Sequence, residues 1–315
     1  MAGSRITLSC LLILTALGCA ATKESPTSSP FRFEPIGDHS IGLWESDRPV
    51  FVYNHGEIAN PAAPKATPRG SYVHPIYGMD GEVLTDDFPK DHVNHRGLYW
   101  AWPHVMIGDK PYDLWSLRGI RSTFIRWIAK DVKADGATLV VENGWFVNDA
   151  RVVREEVRLD AHAAKGDSRA IDVAITLTPL DQPLTLRGAE GKSYGGLSLR
   201  FGPRKTTIIT VPEGRTDEDL VMTPLPWADF VGDLGGRPDA LSGAAIFVHP
   251  DHRDFPPEWM TRQYGMLAAG WPGVKPQTIP AGESVSLKYR LWIHRGNPEA
   301  VEIQEAYEAY RAKAK

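Results

Sequence analysis

The stretch Asp86–His104, DDFPKDHVNHRGLYWAWPH, is the densest run of chemically capable side chains in the sequence. His92, Asn94, His95 and Arg96 crowd one short segment, and Trp100, Trp102 and His104 follow at once. Imidazole titrates near neutrality, so His92 and His95 are expected to form a general acid/base pair. Asn94 and Arg96 would orient hydroxyl groups. A single strand over 98–106 would put Leu98, Trp100, Trp102, His104 and Met106 on one face. Indoles beside imidazole and guanidinium suit a sugar, because the apolar face of a pyranose stacks on Trp while polar groups read its hydroxyls. The plainer arrangement is a core strand whose indoles simply pack, preceded by a polar surface loop.

Two further clusters carry histidine. His249-Pro250-Asp251-His252-Arg253-Asp254 follows the apolar run Ala244–Val248, and side chains at a strand end can project into a cleft. His249 and His252 are expected to close the opposite side of the sugar site; a solvated turn is the alternative. In Arg69–Tyr77, His74 precedes Pro75 and joins the expected substrate-binding set with His104; an extended loop with a satisfied histidine is the alternative. A second mechanism uses the same residues. His92, His95 and His249 or His252, with an Asp, would bind a divalent cation that polarises a carbonyl or hydroxyl. The spacing H-x-x-H is a weak metal signal by itself. Neither Gly-x-Ser-x-Gly nor His-Glu-x-x-His occurs, which argues against α/β-hydrolase and zincin chemistry.

The elements that must position these groups read as strands. Arg169–Thr178 alternates, with Ile171, Val173, Ile175 and Leu177 on one face. Val153, Glu155, Val157 and Leu159 share a face of a second run, and Leu287, Tyr289, Leu291 and Ile293 share a face of a third. Further strands are expected at 50–54, 123–132, 138–147, 196–201, 206–211, 227–231, 243–249 and 264–269. Period two of this kind marks half-buried antiparallel strands. One helix is expected, Pro298–Lys315, capped by Asn297 and packing through Val301, Tyr307 and Tyr310. The fold class is therefore all-β: a large antiparallel β-sandwich with a C-terminal helix, in one domain over 31–315.

Composition bounds the rest. The 315 residues are 42% hydrophobic and 23% charged, a globular balance. Lys and Arg number 35 against 39 Asp and Glu, which leaves no basic excess for nucleic acid. The 29 Gly and 25 Pro exceed their usual shares of about 7% and 5%, consistent with many turns. Arg5 followed by the apolar run Ile6–Leu17 reads as a signal peptide over 1–18, too short for the ~20 residues of a membrane span. Ala16-Leu17-Gly18-Cys19 resembles a bacterial lipobox, with Cys19 lipidated and residues 19–30 a Ser/Thr/Pro-rich tether. The expectation is an exported lipoprotein anchored to a membrane of the cell envelope or periplasm. Of the 2 Cys, Cys10 would leave with the signal, so the folded body has no thiol.

The segments RPVFVYNHGE, RGSYVHPIYGMDGEVLTDDFPKDHVNHRGLYWAW, WADFVGD, GAAIFVHPDHRDFPPEWMTRQYGMLAAGWPG and TIPAGESVSLKYRLWIHRG resemble the DUF6807 family, often labelled "methane oxygenase PmoA". The resemblance runs from about Phe31 to Arg311. It implies secreted bacterial proteins associated with carbohydrate catabolism, and a β-sandwich related to the galactose-mutarotase type. The methane-oxygenase label conflicts with the sequence, whose body has no apolar run approaching the ~20 residues of a membrane span. The reading is a carbohydrate-active lyase, epimerase or hydrolase working by His-based acid/base chemistry, with or without a divalent metal. The alternative is a non-catalytic sugar-binding module built from the same side chains.

Overall fold

Alternation of apolar and polar residues builds two sheets that can be buried only against each other. The computed structural model describes Met1, Gly3 and residues 29–63, 67–236 and 240–312. The leader expected over 1–18, apart from Met1 and Gly3, and most of the tether, Cys19 included, therefore lie outside the described residues.

The first sheet has nine strands, ordered Phe31–Ile36, Ser40–Glu45, Arg48–Asn54, Tyr72–Ile76, Leu98–Ala101, Gly196–Arg200, Met266–Gly270, Glu258–Arg262, Val221–Pro224. The second, also nine-stranded, runs Gly214–Thr216, Ile208–Val211, Trp227–Gly232, Ser242–Val248, Val285–Arg295, Ser168–Pro179, Ala150–His162, Gly136–Val147, Arg121–Lys133. A small third sheet joins Gln277–Ile279, Leu184–Arg187, His104–Ile107 and Lys110–Tyr112. The strand pairings within all three sheets are antiparallel, as the all-β expectation requires.

Val73, Leu98, Trp100, Leu199 and Leu267 of the first sheet join Leu139, Val157, Ile175 and Leu291 of the second in one continuous core. The faces expected for Ser168–Pro179 and Val285–Arg295 are the faces observed, with Ile171, Val173, Leu287 and Ile293 all buried. The C-terminal helix, Ala300–Ala312, lies on the outer face of the second sheet. Ile303, Tyr307 and Tyr310 pack there on Trp227, Ala245 and Phe247. Two helix details differ from expectation. Val301 is 64% exposed, and the start is closed by Glu302, whose carboxylate accepts from the Glu299 amide at 2.7 Å.

The strand expected over 98–106 is broken. Leu98–Ala101 pairs with Gly196–Arg200 in the first sheet, whereas His104–Ile107 pairs with Leu184–Arg187 in the third. Pro103 stands at the break; lacking an N–H, it cannot continue a ladder. Among the described residues no helix is long and apolar enough to cross a membrane.

Candidate functional site

The outer face of the first sheet carries Tyr72, Tyr99, Ala101, Met260, Met266 and Ala268, a second apolar cluster left for loops to cover. The segment 86–97 folds over it in tight turns. The His92 amide donates to Pro89 O at 3.1 Å and the His95 amide to His92 O at 2.8 Å. These turns set the two imidazoles face to face, centroids 4.6 Å apart and 11° from parallel. Arg96 fixes the loop from inside: Nη1 donates to Val93 O (2.9 Å) and His95 O (2.7 Å), and Nη2 to Thr67 O (3.0 Å). Its guanidinium lies 3.7 Å from the Phe88 ring centroid. Gly97 lets the chain re-enter the sheet, since a Cβ there would stand 2.3 Å from Val73 O.

The His92 ring also stacks on Tyr264 at 4.7 Å, and Tyr264 carries the Arg200 guanidinium 4.8 Å from its centroid. Arg200 Nη2 donates to both Asp91 oxygens at 2.8 and 2.9 Å, and Asp91 lies 3.1 Å from His92 Nδ1. Trp115 stands edge-on to His95 at 5.7 Å, with Tyr194 against it at 4.6 Å. Together His92, His95, Trp115, Tyr194 and Tyr264, with Lys192 and Arg262 at hand, line a pocket of about 250 Å³. Tyr264 is shared with a broad neighbouring basin of about 790 Å³ whose walls include Asp91, Arg200, Arg204 and Lys205.

Burial, with the charges of His92 and Arg200 adding to it, pushes His95 down to about 3, so its imidazole is neutral at physiological pH. Its buried Nδ1 has no hydrogen-bond partner, and neither do the buried Nε and Nη1 of Arg200. Burial works against ionisation of Asp91, but the hydrogen bonds from His92 and Arg200 outweigh it and hold the carboxyl below its usual range. Behind the loop, the Tyr72 hydroxyl donates to Asp87 at 2.8 Å. Burial raises Asp87 to about 6 against that bond and the nearby Arg96.

The expected site residues divide. His92 and His95 are brought together as the spacing suggested. Arg96 faces the protein, 1% exposed, with carbonyls for partners and Asp87 3.4 Å from its Nε, whereas Asn94 is partly exposed, its Oδ1 accepting from the Thr67 amide at 3.4 Å. Orienting substrate hydroxyls is not open to Arg96. Trp100 and Trp102 are core residues, 5% and 0% exposed, so the expected stacking platform does not form. Trp100 points between the sheets because Tyr99 takes the outer face, and Trp102 donates to Trp271 O at 2.6 Å and packs on Trp145. His104 is exposed on the third sheet, in a different hollow beside Arg187. His74 is half-buried on the strand beside the loop, its Nδ1 2.9 Å from Thr85 Oγ1, and burial pushes it down to about 4.

His249 and His252 do not close this pocket. His249 lines a separate hollow of about 270 Å³ with His162, Lys288, Arg290 and Tyr310, on the second sheet. His252 is 3% exposed with both ring nitrogens engaged, Nδ1 2.7 Å from Arg253 O and Nε2 2.9 Å from Tyr289 OH. The ligand set imagined for a divalent cation is thereby split. Among the described residues no three His, Cys, Asp or Glu side chains gather as metal ligands. Sequence reasoning missed Asp91, Trp115, Tyr194, Arg200 and Tyr264. Two of them left a trace: Asp91 lies within the polar run before His92, and Arg200 is a polar outward position in the alternating Leu197-Ser198-Leu199-Arg200.

Fold and site together define an antiparallel β-sandwich protein with a histidine- and tyrosine-walled pocket on the outer face of one sheet. The chain belongs to DUF6807, a family of unknown function, whose family model matches residues 42–308. That description carries no methane-oxygenase activity. No curated protein matches the chain. Among solved structures, a heparinase III (BT4657 gene product) aligns at 12% identity over 83% of this chain, with a TM-score of 0.27. This chain spans 30% of the length of that one, and superposition this loose assigns neither fold family nor activity.

Proposed function

We propose that the pocket between His92, His95, Trp115 and Tyr264 binds a carbohydrate. One observation carries the reading: His95 Nδ1 and Arg200 Nε and Nη1 are buried without protein partners around an aromatic-walled hollow. Buried polar atoms left unpaired are costly, on the order of 1–3 kcal/mol each, so a ligand rich in hydroxyls would recover that cost on binding. Trp115 and Tyr194 offer aromatic surface to a pyranose, and a neutral His95 can accept a hydrogen bond from a hydroxyl.

In the catalytic form of this proposal, His92 and His95 form the acid/base pair of a lyase, epimerase or hydrolase. His92 is the half-exposed member, its side chain 43% accessible. The non-catalytic form, a sugar-binding module, is favoured by His95 itself. An imidazole held at about 3 is a weak base at neutral pH, where acid/base catalysis works best with a pKa close to the ambient pH. Export and membrane attachment through Cys19 complete the proposal and place the sugar outside the cytoplasm.

The deciding experiment measures binding and turnover on one panel of glycosides and their 3-keto derivatives, with and without chelator. Wild type, His92→Ala, His95→Ala and Tyr264→Ala are compared. Binding without product supports the module, and product lost in His92→Ala or His95→Ala supports the enzyme. No binding of any sugar by wild type sinks both forms.

A further inference from the structure

Behind the aromatic wall of that pocket lies a second hollow, of about 220 Å³, lined by Arg69, Ser71, Tyr99, Ser122, Glu57 and Arg121 among others. It falls below the ~300 Å³ at which pockets for drug-sized ligands begin, so it suits a small molecule or a pendant group. Arg69 lines this hollow and is tied to the first pocket only through the backbone of Trp115. Its guanidinium sits 5.7 Å from the Tyr99 ring centroid, and Nη2 donates to the carbonyls of Leu114 and, at 3.0 Å, Trp115.

Arg69 is 8% exposed, and among the described residues no carboxylate pairs with it. Its Nη1 is buried with no hydrogen-bond partner, and so is Ser122 Oγ on the same lining. The acids near it are otherwise committed. Asp113 accepts from Ser116 at 2.5 Å and 2.9 Å and contacts Arg118, while the buried Glu155 accepts from Asn143 at 2.8 Å and Trp145 at 2.7 Å. A buried charge without a counter-ion is expensive, and desolvation accordingly lowers Arg69 to about 10. Guanidinium is the side chain best matched to planar and tetrahedral oxyanions.

We infer that this hollow is an anion-binding site, in which Arg69 Nη1 and Ser122 Oγ hold a carboxylate, sulfate or phosphate group. Arg121, at 46% side-chain exposure, adds positive charge on the lining, and its ion pair with Asp149 is long, at 3.9 Å. Glu57 lines the same hollow from an exposed position and opposes an anion there. Removing that charge should therefore strengthen binding. The site stands apart from the sugar reading: it needs no carbohydrate, and none of its lining residues belongs to the His92/His95 pocket.

The test is thermal unfolding of the full chain titrated with sodium acetate, sulfate or phosphate, each against chloride at matched ionic strength and pH. The three salts distinguish a carboxylate from the two tetrahedral oxyanions. The expected result is a saturable rise in Tm for at least one of them over chloride. Arg69→Met should abolish that rise. Ser122→Ala should raise the half-saturating concentration about tenfold, the equivalent of one hydrogen bond of about 1.4 kcal/mol. Glu57→Gln should lower it. No saturable difference from chloride in wild type, or an equal response in Arg69→Met, overturns the inference. Should Arg69→Met fail to fold, an unchanged half-saturating concentration in both Ser122→Ala and Glu57→Gln overturns it as well.

Discussion

The segments around His92/His95 and His249/His252 look alike in sequence: two histidines three apart, an acid and an arginine between or beside them. Their surroundings make them different objects. His252 is wedged at the end of the sandwich, each ring nitrogen paired and its ring against Tyr289 at 5.1 Å. His95 is nearly as buried, yet its Nδ1 has no partner and its ring forms part of a pocket wall. A satisfied histidine holds structure together. An unsatisfied one beside a hollow is available to a ligand. Burial alone does not separate the two roles; the inventory of partners does.

The largest expected effect concerns what the clusters share. His74, His95 and His252 are all held neutral by burial, at about 4, 3 and 4. Their folded pKa values lie below the unfolded value, so the unfolded chain binds more protons as pH falls below 6.5. The stability they confer is full above that pH and is lost as pH falls toward their folded values. Asp87, raised to about 6, works the other way and gives back part of the loss between about pH 6 and 3.8. Going from pH 7 to 5 should remove on the order of 4 kcal/mol from these groups together. Urea denaturation at pH 7, 6 and 5 measures it, and a flat midpoint would contradict the neutral burial of both clusters.

The next effect tests the boundary between core and site. Trp102→Ala should cost about 3–5 kcal/mol of unfolding free energy, because it empties a fully buried position. A loss of sugar binding in Trp102→Phe with the fold intact would restore the stacking role that burial removes. A smaller change separates the histidines directly. His252→Ala strands the buried Tyr289 hydroxyl and should cost about 1–3 kcal/mol while leaving ligand affinity alone. His95→Ala should do the reverse, weakening ligand binding by about tenfold, or about 1.4 kcal/mol, with little change in stability. Equal behaviour of these two variants in paired denaturation and titration experiments would erase the distinction. The smallest effect is expected at His104, exposed on the third sheet: His104→Ala should move stability by no more than about 0.5 kcal/mol and affinity not at all.

Much of the architecture was legible because period two is a local property. The runs over 168–179 and 285–295 announced their buried faces, and the pattern at Val153, Glu155, Val157 and Leu159 even placed Glu155 inside. It is 0% exposed there, held by Asn143 and Trp145. The pairing of His92 with His95 was also legible, since two short turns bring residues three apart together. Tyr264 was not. It comes from the turn between Glu258–Arg262 and Met266–Gly270, and it reaches His92 only because Gly196–Arg200 lies between that hairpin and Leu98–Ala101.

The sequence by itself determined the long alternating strands with their buried faces, the terminal helix and the resemblance to DUF6807, because these follow from residue type at short range; the short strands, such as Ser40–Glu45 and Glu258–Arg262, carried no such local signal. The tertiary structure alone decided which polar groups would be left without partners. Trp102 and His252 looked available in the sequence and are consumed by Trp271 O and the Tyr289 hydroxyl, both far along the chain, while His95, Arg200 and Arg69 keep buried atoms unpaired. Hydrogen bonding is satisfied or denied by neighbours in space, and in an antiparallel sandwich those neighbours arrive from strands tens of residues apart.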